Sequence, residues 1–374
     1  MKKLQKTKPT SNKNSVEANQ LEPQLTPIPH NQDVDERKTV KIDVHEVDAL
    51  DEEEVIGGSS THLAVKDPKS YMIGTYWKGV IQVENGLKIY SGSLHKDDTT
   101  LHGMIYIPSM KCYLLASECK LYRKDINTNA PYLFLAFNFD LGCFWYSVQH
   151  QRLALKNGAK GVISVLNLQT KKREISLKKR GWGSIVDFRF FGRDESKIVS
   201  LFRDGCFVLY SLIDPSQKRG VLAEYQLTLI EERHECPVSL AVCERDDYFY
   251  FLVEIGQNLQ LYAYSSRLIL LKMQGDSLVQ FTWIDQYSEG ISENFALDCL
   301  GCFGKNIWWV GLSCYRDGMA QLFRFDTVTG QFEELRDKRE FHQENKPVKL
   351  HRCGDKLYYT GNKALVMSLS LVFY

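Results

Sequence analysis

The sequence predicts an all-β fold built from a repeated four-stranded antiparallel unit, and three observations predict it. First, a four-residue pattern of an aliphatic residue, a bulky apolar residue, any residue and then usually an apolar one recurs seven times. It reads IYSG at 89, LYRK at 121, VLNL at 165, LYSL at 209, LYAY at 261, LFRF at 322 and VMSL at 366, at intervals of 32, 44, 44, 52, 61 and 44 residues. Second, a turn residue precedes six of the copies: Asn85-Gly86, Asn157-Gly158, Asp204-Gly205, Gly256, Asp317-Gly318 and Gly361-Asn362. Such residues supply the positive φ angles of tight hairpins. Third, the chain from Tyr71 onward consists of short apolar runs broken by Gly, Asn and Asp, with no long stretch of 3.6-residue periodicity. About four strands per 44 residues, repeated about seven times, match a single β-propeller of seven four-stranded blades.

The N-terminal part is read as a separate segment. Residues 1–69 hold none of the chain's 44 Phe, Tyr and Trp residues and carry five of its ten prolines. Such a segment buries too little apolar surface to offset chain entropy. Residues 1–61 are therefore expected to be a disordered tail, with an acidic block at 42–56 (IDVHEVDALDEEEVI) of seven acids and no Lys or Arg. Residues 62–374 form the expected propeller. Its last unit (VKLHRC, KLYYTG, ALVMSL) has only three strands, so the fourth is assigned to the N-terminal side, at His62–Val65 (HLAV). Closure by both ends leaves no unpaired sheet between the first and last blades.

The body resembles the WD40 propeller family in period and strand pattern over roughly residues 62–374. The best echoes of the family's blade-ending motif are RFDTVTGQ (Phe325, Asp326, Thr327, Thr329, Gly330) and LNLQTKK (Leu166 to Lys172). The chain departs from the family in lacking both its Trp-Asp and its Gly-His signatures, which makes it a divergent relative. The resemblance implies a protein-binding role.

Composition narrows the chemistry. With 47 Lys+Arg and 46 Asp+Glu the net charge is +1, so no global field favours nucleic acid or an anionic membrane. No run of about 18 uncharged apolar residues exists to cross a membrane. The first fourteen residues lack the apolar core of a secretory signal, and no Asn-x-Ser/Thr acceptor occurs. An intracellular location, cytoplasmic or nuclear, is expected. The ten cysteines are then reduced thiols acting as small apolar residues. The one tight pair, Cys299-Leu300-Gly301-Cys302, finds no second pair downstream: Cys314 stands alone and the next histidine is His342. No metal site and no cofactor are expected. A Gly-x-Ser-x-Gly elbow is absent. The P-loop pattern fails at Cys299, the HExxH pattern fails at Val238, and Gly181-Trp182-Gly183 does not continue into a dinucleotide loop. The chain is read as a non-enzyme.

The clearest local imbalance is 152–180, where Arg152, Lys156, Lys160, Lys171, Lys172, Arg173, Lys178, Lys179 and Arg180 face only Glu174. Lys171, Lys172, Arg173, Lys178, Lys179 and Arg180 are the candidate binding residues. The favoured explanation is an outer strand whose charges prevent edge-to-edge pairing, because Ile175 and Leu177 alternate with polar neighbours. Alternatives are an acidic protein partner, nucleic acid, or a phosphoinositide, since LKKRG is similar to the Leu/Phe-Arg-Arg-Gly motif of phosphoinositide-binding propellers. The aromatic runs Phe144–Tyr146, Tyr248–Phe251 and Trp308-Trp309 are assigned to the core. The polar stretch Ile284–Asn294 is expected to be a loop at one rim. The function expected is a non-catalytic interaction scaffold, a subunit of a larger complex and a monomer outside it, binding one or more proteins through rim loops and the central face. The alternatives are the phosphoinositide reading and an enzyme or small-ligand binder with a site in the central channel.

Overall fold

The computed structural model describes residues 40–48, 60–75, 79–92, 101–157, 161–178, 183–213, 220–229, 235–259, 263–284, 296–312, 320–335, 347–353, 356–361 and 366–373. They form antiparallel sheets of four strands and no α-helix. β1 (Val40–Asp48) leads the chain. β2 (Ser60–Asp67), β3 (Ser70–Thr75), β4 (Gly79–Glu84) and β5 (Leu87–Gly92) pair in that order into one sheet. The pattern repeats in β6 (Gly103–Ile107), β7 (Cys112–Ser117), β8 (Lys120–Asp125) and β9 (Tyr132–Ala136). It repeats again in β10 (Leu141–Ser147), β11 (Arg152–Asn157), β12 (Val162–Asn167) and β13 (Lys172–Lys178). The next sheet holds β14 (Ile185–Phe191), β15 (Lys197–Phe202), β16 (Cys206–Ser211) and β17 (Val221–Gln226). After it come β18 (Glu235–Arg245), β19 (Tyr248–Leu259), β20 (Ala263–Gln274) and β21 (Ser277–Ile284). β22 (Ala296–Phe303), β23 (Asn306–Leu312), β24 (Ala320–Asp326) and β25 (Phe332–Leu335) follow. Finally β26 (Pro347–Cys353), β27 (Lys356–Gly361) and β28 (Val366–Phe373) pair in order, with β1 added outside β28.

The burial gradient across each sheet explains the residue types. Second and third strands are covered on both faces, so they read as continuous apolar runs: CYLLAS in β7 and CFVLY in β16 are buried throughout. Fourth strands are edges and more exposed, as in β13 (KREISLK), where only Leu177 is buried. Hairpins are set by left-handed residues. Asn85 and Gly86 (φ 54 and 77) turn β4 into β5, and Asp246 and Asp247 (φ 50 and 63) turn β18 into β19.

The core lies between sheets. The first strand of each sheet lies beside the first strand of the next: β2 by β6, then β10, β14, β18, β22 and β26, with β26 beside β2 again. Among the described residues, apolar clusters fill six of these boundaries. Ile107, Leu114 and Leu121 meet Phe144, Leu153 and Leu166, and Leu201, Phe207 and Leu209 meet Phe251, Ile269 and Met273. Leu63, Val65, Tyr71 and Ile73 meet Tyr358 of β27, across the boundary where the chain's first and last sheets adjoin. Among the described residues, no helix is long and apolar enough to cross a membrane.

Four sequence expectations change. The strand completing the last sheet is Val40–Asp48, running antiparallel to β28 from Val40↔Phe373 to Glu46↔Met367. His62–Val65 instead belongs to β2, the first strand of its sheet. Leu63, Ala64 and Val65 are buried consecutively, which suits a strand covered on both faces and not an outer edge. Residues 40–48, read as tail, are therefore sheet, and they take in the first part of the acidic block. Residues 1–39 and 49–59 lie outside the described residues, and Ser60 and Thr61, also read as tail, open β2. The repeat motif lies in the third strand of its sheet at 121, 165, 209, 322 and 366, and Leu261-Tyr262 of the copy at 261 lie outside the described residues, but IYSG at 89 falls in the fourth strand, β5. The third strand there is β4, whose Val80 precedes Leu121 by 41 residues (121 − 80), which brings the short first interval close to the common period. Gly256 is not a turn: it is paired with Cys236 and Ser266 inside β19, a strand of 12 residues. Most of the aromatic runs are core, with Phe251, Trp308 and Trp309 nearly inaccessible, while Trp145, Tyr248 and Phe249 are half-buried against it. Of the polar stretch Ile284–Asn294, only Ile284, the last residue of β21, is described.

The β1–β28 pairing predicts that a chain starting at Val40 unfolds cooperatively, whereas one starting at Ala49 melts roughly 10 °C lower, as loss of several kcal/mol from a domain of this size requires. Scanning calorimetry on the two chains distinguishes the outcomes. Equal midpoints would place the last sheet's stability elsewhere.

Candidate functional site

The basic residues singled out from sequence lie along and beside β13, the outermost strand of its sheet, paired with β12. Leu177 anchors the strand, opposite Ile163 and buried. Lys172 and Arg173 open it and Lys178 closes it, all exposed. Six residues at about 3.3 Å each put these two groups roughly 20 Å apart. Lys171 occupies a left-handed turn position (φ 57), and its Nζ sits 4.5 Å above the Phe134 ring of β9, on the preceding sheet. Glu174 Oε2 accepts from Arg152 Nε at 2.8 Å, while its Oε1 accepts from Asn167 at 3.0 Å. Lys179 and Arg180 lie outside the described residues. The described part of the set is thus spread over both ends of an edge strand, with Lys171 held against a ring. That placement suits the protection of an edge better than one converging anion pocket.

The chain beyond this segment is tightly fixed. Gly183 leads into β14, and its carbonyl oxygen lies where a Cβ on Gly161 would fall; Gly161 itself is left-handed (φ 55). The close backbone approach seats the start of β12 against the next sheet, and only glycine permits it. Nearby, the Arg189 guanidinium of β14 stacks 3.9 Å from the Trp145 ring of β10 and is paired with Asp187. Asp187 Oδ2 in turn accepts from the Leu240 amide of β18, at 3.3 Å. Successive first strands are tied together through these groups.

Two other outer strands have the opposite character. β5 exposes Leu87 (69 % exposed) and Ile89, on either side of the exposed Lys88. β9 exposes Tyr132 and Leu133 (54 % exposed). These edges belong to neighbouring sheets, and Lys124 joins them. Its ammonium is buried, lies 4.9 Å from the Tyr90 ring of β5, and donates to the Thr128 carbonyl at 2.6 Å. Burial lowers the Lys124 pKa from its ordinary value. Large apolar side chains on an exposed strand edge attract another chain, and native sheets normally avoid them.

A third grouping is one the sequence did not reveal. Cys243 near the end of β18 meets Cys299 and Cys302 of β22, and the three sulfurs lie within 4.8 Å of one another. Cys243 Sγ and Cys302 Sγ are 3.1 Å apart. In a regular strand, residues three apart point to opposite faces. The register of β22 slips between Cys299 (opposite Trp309) and Gly301 (opposite Trp308), so a bulge at Leu300 turns Cys302 to the same side as Cys299. Cys243 and Cys299 are buried in the cluster containing Tyr250, Ile307, Trp309 and Phe325, whereas Cys302 is exposed. Hydrogen bonds from Cys243 and Cys299, with the Arg245 charge adding, hold the Cys302 thiol well below the usual range, and Cys243 is pushed up in return. The Arg245 guanidinium is itself held by the carbonyls of Gly304 and Asn306. The available sequence signal was positional. Cys243 and Cys302 each precede a hairpin turn that ends the first strand of its sheet, so aligning the two units pairs them, whereas a search along the chain beyond Cys302 does not.

No protein-family model matches the chain, and comparison with curated proteins returns no match.

Gly161→Ala combines a disfavoured left-handed alanine with a collision against backbone. It is expected to lower stability by about 2 kcal/mol or more, read by urea unfolding. Gly86, also left-handed but with open space around its Cβ position, provides the comparison: Gly86→Ala should cost only about 1 kcal/mol. Equal costs would refute the close approach.

Proposed function

We propose that this chain is a non-catalytic protein-interaction scaffold, a divergent seven-bladed WD40-like propeller whose partner seats on the outer edges β5 and β9. The propeller reading is supported by repeated four-stranded sheets whose first strands follow one another in chain order, with β26 returning beside β2. The observation that carries the binding role is the set of exposed Leu87, Ile89, Tyr132 and Leu133 on two neighbouring edges. The contrast with β13 is informative. One outer strand is protected by Lys and Arg, while two others, each the last strand of its sheet, present exposed apolar side chains. Strand edges of this kind recruit partners by adding a strand, with main-chain hydrogen bonds giving affinity and alternate side chains giving specificity. A rigid scaffold that presents several edges and loops is suited to a subunit within a complex.

The test is a double variant, Leu87→Lys with Ile89→Lys, expressed as full chain in the native cell and recovered by crosslinking and affinity purification. Both side chains are exposed, so the variant should melt within about 2 °C of the wild type. It is expected to lose at least one stoichiometric protein partner that the wild type retains. A wild type with no stoichiometric partner would overturn the scaffold reading. A variant that keeps every partner would remove β5 from the interface.

A further inference from the structure

We infer that Cys243, Cys299 and Cys302 form a binding site for a soft, closed-shell metal cation such as Zn²⁺, spanning the boundary between the β18 and β22 strands. The geometry points to it in three ways. Three sulfurs from two different sheets converge within 4.8 Å of one another. A tetrahedral Zn²⁺ with Zn–S bonds of about 2.3 Å needs sulfurs roughly 3.8 Å apart, so the trio reaches that arrangement with shifts of less than about an ångström. The 3.1 Å separation of Cys243 and Cys302 is well beyond the roughly 2.05 Å of a disulfide, so the thiols are gathered without being joined.

The surroundings suit a metal–thiolate centre. Thiolate is the soft ligand that selects Zn²⁺ and Cu⁺ over harder cations. Three thiolates around Zn²⁺ leave one negative charge; the adjacent Arg245 guanidinium, held by Gly304 and Asn306 and also paired with Asp246 at 2.9 Å, offsets part of it. Trp309, Ile307 and Phe325 wall the inner side of Cys243 and Cys299 with apolar surface. Cys302 is exposed, so a metal can reach the trio from solvent, and three protein ligands leave a fourth position for water, as in zinc sites that keep an open ligand position. The bulge at Leu300 supports the same conclusion: it is the local feature that brings the second thiol of the Cys299-x-x-Cys302 pair to the side of the first. Bulges that re-aim a side chain are characteristic of functional positions.

The experiment uses the full chain, reduced and stripped of metal, with Zn²⁺ as the probe. Titration against a chromogenic chelator should show one equivalent of Zn²⁺ bound per chain. Cys243→Ala and Cys302→Ala should each weaken binding at least 100-fold, while Cys112→Ala, a buried thiol of β7 outside the trio, should leave it unchanged. Co²⁺ in place of Zn²⁺ should give sulfur-to-metal charge-transfer absorption. A second measurement needs no variant. One equivalent of Zn²⁺ should slow iodoacetamide alkylation of Cys302, located by peptide mass, at least tenfold. The inference is overturned if the wild type binds no more Zn²⁺ than the Cys243→Ala/Cys299→Ala/Cys302→Ala triple variant. It is equally overturned if Zn²⁺ leaves Cys302 alkylation unchanged, or if the trio is recovered as a Cys243–Cys302 disulfide under the reducing conditions used.

Discussion

The pairing of β1 with β28 is the constraint on which the rest of the structure depends. Every other sheet is a run of four strands consecutive in the chain and so can form locally. The last sheet cannot: β26, β27 and β28 supply three strands, and the fourth comes from more than 300 residues earlier. That contact carries the largest loop-closure entropy in the fold, and ladder hydrogen bonds over nine residues offset it. It also covers the backbone of β28, which would otherwise be the open edge of the last sheet.

The same constraint organises burial. Once β26 lies beside β2, the Leu63–Tyr71–Tyr358 cluster becomes one more boundary of the kind described between other neighbouring sheets. Among the described residues the inner strands are covered on both faces, and exposure concentrates on the fourth strands and the turns. Function must be expressed on those exposed parts. The fourth strands differ accordingly: β13 is basic, β5 and β9 are apolar, and β1 carries part of the acidic block. The thiol trio is the exception, because it occupies a boundary between first strands, reaching solvent only through Cys302.

How much of this could be read from the sequence depended on range. Strand and turn texture is local, so the repeated unit, the buried aromatic runs and hairpins such as Asp204-Gly205 (Gly205 φ 81) were legible. The edge position of β13 was legible as well, because Ile175 and Leu177 alternate with charge. The closing strand was misplaced because composition over a long window, without aromatics and rich in acids, outweighed a short pattern. Val40, Ile42 and Val44 alternate strictly with Lys41, Asp43 and His45, which is the signature of an outer strand. Gly256 misled because a glycine marks a turn only by context, and here it lies in mid-strand, paired on both sides. The trio was hidden for a different reason. Cys243 and Cys299 are 56 residues apart, and the side on which Cys302 emerges depends on a one-residue bulge that no spacing rule encodes.

The most direct test of the closing strand is hydrogen exchange, followed by mass spectrometry, on the full chain under native conditions. If β1 completes the last sheet, amides of Val40–Asp48 exchange as slowly as those of β28, and both lose protection together as denaturant is added. Exchange of Val40–Asp48 at the rate of an unstructured peptide, while β26 to β28 remain protected, would contradict it.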